Sequence, residues 1–191
     1  MFKVIQDLSL FLLKHPSKRY SFRDTNTINT IVVHQTATED NGQFTAYDIA
    51  RFHVNTNDWA GIGYHYLITD NGAIYKTNDE NVISYHASGF NSNSIGVAIT
   101  GNHDLGDEIS TKKYNALVYL LAKLSNKYNI SVENIIGHNE TGSPKQCPSI
   151  DIDQLLSDLK KKKMVLWIGK GIIVGCLIAL LIYLGKRTKV I

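Results

Sequence analysis

Cysteine is scarce in this 191-residue chain, which contains two. Cys147 lies in a polar loop and Cys176 inside an apolar segment, which speaks against a mutual disulfide. Acidic residues are missing altogether after Asp158, whereas eight Lys or Arg fall within residues 160–191. Residues 1–159 therefore carry 12 basic against 17 acidic residues, a formal net of −5, and the overall +3 belongs to the tail. A nucleic-acid partner asks for a basic patch on the folded part, so that reading loses its support. An ordinary export signal is not evident either. Leu8 to Leu13 is too short for a signal-peptide core, and no small-x-small cleavage site follows it. There is no internal repeat, no low-complexity tract and no His-Glu-x-x-His motif. The length favours one domain with an appendage.

What is present alternates between strand and helix signals. Residues 1–27 read as a short helix packed on the domain, followed by a polar lead-in. Ile28 to Val33 is β-branched and almost continuous, the pattern of a strand buried on both faces. Thr45 is placed to cap a helix through Val54, with Ala46, Ile49, Ala50 and Phe52 or His53 inward. Gly61-Ile62-Gly63 precedes a strand from Tyr64 to Thr69. Asp70-Asn71-Gly72 then signals a hairpin, because Asn-Gly accepts the positive φ such turns need, and Ala73 to Lys76 returns. Ser94 to Thr100 is the next strand. Ser110 caps a helix in which Tyr114, Leu117, Val118, Leu121 and Leu124 recur at three and four residues. Asn134 to Gly137 is a last strand, and Ile152, Leu155, Leu156 and Leu159 mark one face of a last helix. The expected fold is α/β, a mixed central sheet flanked by helices.

One stretch concentrates chemistry. Gly137 to Pro148 puts an imidazole (His138), an ammonium (Lys145) and a thiol (Cys147) in one loop at the end of a strand, where a fold holds side chains rigidly. His and Cys together suit zinc. A third ligand must come from elsewhere, and His34, ending the strand of Ile28 to Val33, is the best candidate if the two strands lie side by side. Two imidazoles and a thiolate leave the fourth tetrahedral position open, the arrangement of a catalytic zinc site. The plainer reading of Cys147 is a small buried thiol, and of Lys145 a solvated loop lysine. For Cys147, the His nine residues upstream and the Lys two residues upstream favour a ligand.

These residues also carry a resemblance. His34-Gln35-Thr36-Ala37-Thr38 after a strand, Gly63-Tyr64-His65-Tyr66, Asn91-x-x-Ser94-Ile95-Gly96-Val97 and Gly137-His138…Lys145-x-Cys147-Pro148 occur in the order of the type 2 N-acetylmuramoyl-L-alanine amidases. That family includes small phage lysozyme-like amidases and the peptidoglycan recognition proteins, and the similarity runs from about Ile28 to about Leu159. It implies hydrolysis of the amide between N-acetylmuramic acid and the L-alanine of the stem peptide. It implies zinc on His34, His138 and Cys147, Lys145 stabilising the transition state, and Tyr64 hydrogen bonding beside the reacting centre as base or orienter. His86 and Asn91 match the family's His-x-x-Gly-x-Asn segment, which implies a place at the groove edge, with His86 open between substrate contact and packing. Retention of Cys147, where non-enzymatic relatives often carry another residue, argues for catalysis. His53, His65 and His103 read as structural or surface residues.

The tail reads separately. A domain over 28–159 gives way to a basic linker at 160–163. Met164 to Gly185 follows, apolar except for Lys170, and 186–191 form a basic tail. Twenty-two residues at about 1.5 Å each cross a bilayer core of roughly 30 Å. Trp167 and Tyr183 stand near the two ends, where interfacial aromatics belong, and Lys170 is placed to snorkel. Lysines flank both ends, so orientation stays open. The sequence thus leads to a membrane-anchored lytic amidase of phage or prophage type, in the host inner membrane or a virion membrane. A bacterial cell-wall remodelling amidase and a peptidoglycan-binding module without turnover stand as the alternatives. A membrane protein with a merely structural domain is the third.

Overall fold

The structure, a computed structural model, describes residues 4–38 and 45–163. Its centre is a six-stranded sheet of β1 (Ile5–Asp7), β5 (Ile74–Lys76), β4 (Tyr66–Ile68), β7 (Ser94–Ile99), β3 (Thr30–Gln35) and β8 (Ile135–Gly137), in that spatial order. Every neighbouring pair is parallel except β4 with β5, the hairpin turned by Asn71-Gly72 with Gly72 at φ 78°. A two-stranded antiparallel ribbon, β2 (Ser21–Phe22) with β6 (Val82–Ile83), lies apart from it.

Alternation along the strands sorts two cores. Ile31 and Val33, Tyr66 and Ile68, and Ile95, Val97 and Ile99 face one side. There they meet α2 (Thr111–Lys127) and α3 (residues 152–163), through Leu117, Leu120, Leu121, Leu124, Leu155 and Leu159. Leu67 and Ala98 face the other side, against Ala46, Ile49 and Ala50 of α1 (Ala46–Asn55). Each fully buried leucine contributes about 1.5–3 kcal/mol of apolar burial. Helices α1 and α2 both start where a hydroxyl satisfies a free backbone N–H. Ser110 Oγ accepts from the Lys113 amide, and Thr45 forms a reciprocal capping box with Asp48.

The N-terminal segment differs from the expected helix and lead-in. Ile5–Asp7 pairs with β5 as an edge strand, because β5 has a free backbone edge that a helix could not fill. Leu8 to Leu12 forms a turn in which the Leu8 carbonyl accepts from Phe11 and Leu12. Leu12 is buried in the α1-side core, whereas Leu10 stays 88% exposed. Lys14 to the Asn78 side chain and Tyr20 to the Ile62 carbonyl tie the segment down. Residues 160–163, expected as a linker, continue α3. The strand expected from Tyr64 enters the ladder at Tyr66, because the Tyr64 carbonyl accepts from Thr77 Oγ1 and Asn78 Nδ2 instead. No helix among the described residues is long and apolar enough to cross a membrane. The apolar run from Met164 to Gly185 and the tail beyond it lie outside the described residues.

Two buried histidines brace the sheet in neutral form. His65 Nδ1 accepts the Gly96 amide, so its Nε2–H donates to the Val82 carbonyl. Burial, aided by Arg23, pushes its pKa down to about 4. Burial does the same to His53, also to about 4, and His53 Nδ1 accepts the Gly63 amide.

Two outcomes are expected. Leu12→Ala should cost about 2–4 kcal/mol in urea unfolding, and Leu10→Ala less than about 0.5 kcal/mol. Equal effects would show that the N-terminal segment is not part of the core. Below pH 6.5 the unfolded chain takes up protons that folded His53 and His65 refuse. Stability is therefore full above pH 6.5 and declines as pH falls toward about 4, and a denaturation midpoint unchanged between pH 7.5 and 4.5 would contradict this.

Candidate metal centre

The parallel pairing of β3 with β8 decides the site. Val33 lies opposite Gly137, so the next residues, His34 and His138, leave the same end of two adjacent strands. Their ring centroids are 4.6 Å apart. After His138 the chain makes a short 3-10 turn, His138–Thr141, closed by Gly142 at φ 83°. It returns so that the Asn139 amide donates to the Cys147 carbonyl at 2.8 Å. The loop thereby carries Cys147 back to β3, where Sγ accepts the Gln35 amide at 3.2 Å and stands 3.9 Å from His34 Nδ1. One ligand atom from each of His34, His138 and Cys147 lies within 4.8 Å of the others.

The electrostatics suit a cation. Burial, then the charges of His138 and Lys145, hold His34 far below the ordinary imidazole range. Burial and Lys145 lower His138 as well. Burial pushes the Cys147 thiol up to about 11, against the pull of the Gln35 amide and Lys145. At neutral pH this leaves two unprotonated imidazoles and a thiol, a set that binds a borderline-soft divalent ion on loss of one proton. The three residues fit a metal with an open position.

The cluster sits in a cleft of about 1330 Å³. It is lined by Asp48, Ile49, Phe52 and His53 of α1, by the aromatic rings of Trp59, Tyr64 and Tyr85, and by His138, Lys145, Gln146 and Ser149. The Tyr64 ring is 5.4 Å from that of His34 and 5.4 Å from that of His53. Burial, and then Cys147, hold its hydroxyl protonated beyond the ordinary range. Lys145 is exposed at the rim. The carboxylates on the cleft are Asp48 and Asp104, with no glutamate among its described residues.

Of the two residues matched to substrate contact, His86 lines the cleft and Asn91 does not. His86 is buried, and its Nδ1 lies 3.1 Å from His34 Nε2. Asn91 Oδ1 accepts the amides of His86 and Ala87. Sequence reasoning missed Gln35, whose amide supports Cys147 and whose Oε1 accepts the His103 amide. A polar residue on a fully buried strand beside a candidate ligand was the available signal. It also missed the aromatic lining, since Trp59 and Tyr85 stand in loops without periodicity.

Known proteins share this fold and its sequence pattern. Residues 24–150 match the sequence pattern of the family described as N-acetylmuramoyl-L-alanine amidase. The chain is 31% identical over 138 residues to the endolysin of Escherichia phage T7, across 70% of this chain and 89% of that one. It is 32% identical over 105 residues to peptidoglycan-recognition protein SC2 of Drosophila melanogaster, across 55% and 56% respectively. Among solved structures, the Ph2119 endolysin from the Thermus scotoductus bacteriophage superposes with a TM-score of 0.69 at 26% identity, covering 82% of this chain and 98% of that one. An N-acetylmuramoyl-L-alanine amidase from Clostridium intestinale gives 0.67 at 26%, covering 83% and 99%. The chain belongs to the N-acetylmuramoyl-L-alanine amidase family.

Proposed function

We propose that this protein is a zinc-dependent peptidoglycan hydrolase that cleaves the amide between N-acetylmuramic acid and the L-alanine of the stem peptide. We propose further that its C-terminal segment holds it at a membrane, as a lytic enzyme of phage or prophage type. The observation that carries the catalytic reading is the gathering of His34, His138 and Cys147 on the floor of an open cleft. Zinc held there supplies Lewis acidity toward water and toward the scissile carbonyl.

The protein's own groups supply the rest. The cleft orients an extended glycopeptide between α1 and the loop of residues 143–149. Lys145 places a positive charge at the rim, where negative charge develops on the carbonyl oxygen. Tyr64, held protonated, donates a hydrogen bond into the same space and so acts as an orienter of the reacting groups. The Gln35 amide on Cys147 Sγ stabilises the thiolate that metal binding requires. The membrane reading rests on the sequence of residues 164–185 and the basic residues on either side.

Incubation of the full-length, zinc-loaded protein with sacculi should release stem peptides bearing a free L-alanine amino terminus, read by mass spectrometry. Cys147→Ser should lower zinc affinity sharply and reduce product to background. A fully active, zinc-replete Cys147→Ser protein would end the site assignment. Sacculi that bind the native protein without releasing peptides would instead favour the recognition-module reading, for which the similarity to a peptidoglycan-recognition protein speaks. Removing residues 164–191 should free the protein from liposomes in a flotation assay with hydrolysis retained; flotation of the truncated protein with lipid would refute the anchor.

A further inference from the structure

We infer that His86 is a positioning residue that locks the tautomer and ring orientation of His34 through a hydrogen-bonded chain beginning at Ser94. This rests on the reading of His34 as a metal ligand. Ser94 Oγ lies 2.6 Å from the Phe90 carbonyl and 3.3 Å from His86 Nε2. A hydroxyl has one proton, and the shorter contact to a carbonyl, which can only accept, takes it. Ser94 Oγ must therefore accept from His86, and Nε2 of His86 carries a hydrogen. A neutral imidazole carries only one, so Nδ1 presents a lone pair. That lone pair is 3.1 Å from His34 Nε2, which consequently donates. The remaining lone pair of His34 is then on Nδ1, the atom that faces Cys147 Sγ at 3.9 Å. The chain has a single self-consistent arrangement of protons, and it ends with a donor electron pair aimed at the metal position.

The His86 ring is 7% exposed, and the other rings in contact with it are the imidazoles of His34 and His65. The backbone is shaped around the same ring. A Cβ at Gly96 would come within 2.6 Å of His86 Cγ, so the strand carries a glycine where the imidazole lies on the sheet. Gly96 pairs with Val32, two residues before His34 on the same face. Asn91 fixes the other side by accepting the His86 and Ala87 amides. Thus Asn91, Ser94, Gly96 and His86 form one cradle beneath His34. A ligand imidazole commonly donates its second N–H to a carboxylate or carbonyl. Here the acceptor is a neutral imidazole, which orients the ligand without adding negative charge. With one thiolate, the occupied centre would keep a net charge of +1.

The test uses the full-length protein. Two-bond proton–nitrogen correlation spectra of the metal-free protein should show His34 protonated at Nε2 and His86 protonated at Nε2; His34 protonated at Nδ1 would overturn the inference. Zinc affinity, measured by competition with a chelator, should fall about 10–100-fold in His86→Leu. His86→Gln, whose amide can accept from His34 and donate to Ser94, should recover to within a few-fold of native. Native affinity in His86→Leu, or equal losses in the Leu and Gln variants, would show that the ring only fills space. If His86→Leu does not fold, the spectra of the native protein decide alone. Loss of hydrolysis with zinc affinity and tautomers as stated would instead count against the proposed function.

Discussion

Everything at the site depends on one constraint, the parallel pairing of β3 with both β7 and β8. Ile31, Val32 and Val33 have no exposure, and the ladder fixes which residues leave the strands together. In a parallel sheet a register shift of one residue would turn His34 into the α2-side core and Val33 toward the cleft. The aliphatic packing against α2 and α3 forbids that shift. The core that stabilises the domain therefore also sets the separation of the two imidazoles.

From that constraint the site is assembled by backbone amides more than by side chains. Gln35 supports the thiol, Asn139 returns the loop, and Asn91 pins the segment under His34. Groups held in this way carry little conformational freedom into substrate binding, which is the condition for preorganised electrostatics. The aromatic lining of the cleft adds a different component. Trp59, Tyr64 and Tyr85 offer flat apolar faces, well matched to the rings of a glycan, beside a few polar anchors.

Much of this was legible in the sequence, and the gaps have physical causes. The run from Ile28 to Val33 could only be a strand buried on both faces, but that it lies beside Ile135 and Ile136 was only a condition of the ligand reading, which the parallel pairing meets. The Asn71-Gly72 turn and the Ser110 cap are local chemistry, readable without the fold. β1 was not readable, because three residues with mixed exposure have no period, and their partner β5 lies far along the chain. Leu8 to Leu13 looked helical in composition, yet only Leu8 and Leu12 turn inward, too few to hold a helix in place. Residue type alone could not say that His86 meets His34 and that Asn91 holds the His86 amide. Both are polar residues in one loop, and the contact of the His86 ring with Gly96 and the direction of the Asn91 amide oxygen become visible only in the fold.

The placement of the ligands along the chain has a thermodynamic consequence. His138 and Cys147 are close in sequence, whereas His34 is 113 residues from Cys147. An unfolded chain can offer the first two as a weak bidentate grip, but the third joins only when β3 and β8 are paired. A bound ion would then act as a clasp across the open edge of the sheet, and its free concentration would enter the folding equilibrium by mass action. A protein of this design would be sturdiest where a fitting divalent ion is plentiful, and loss of the ion would weaken the pairing at its sheet edge.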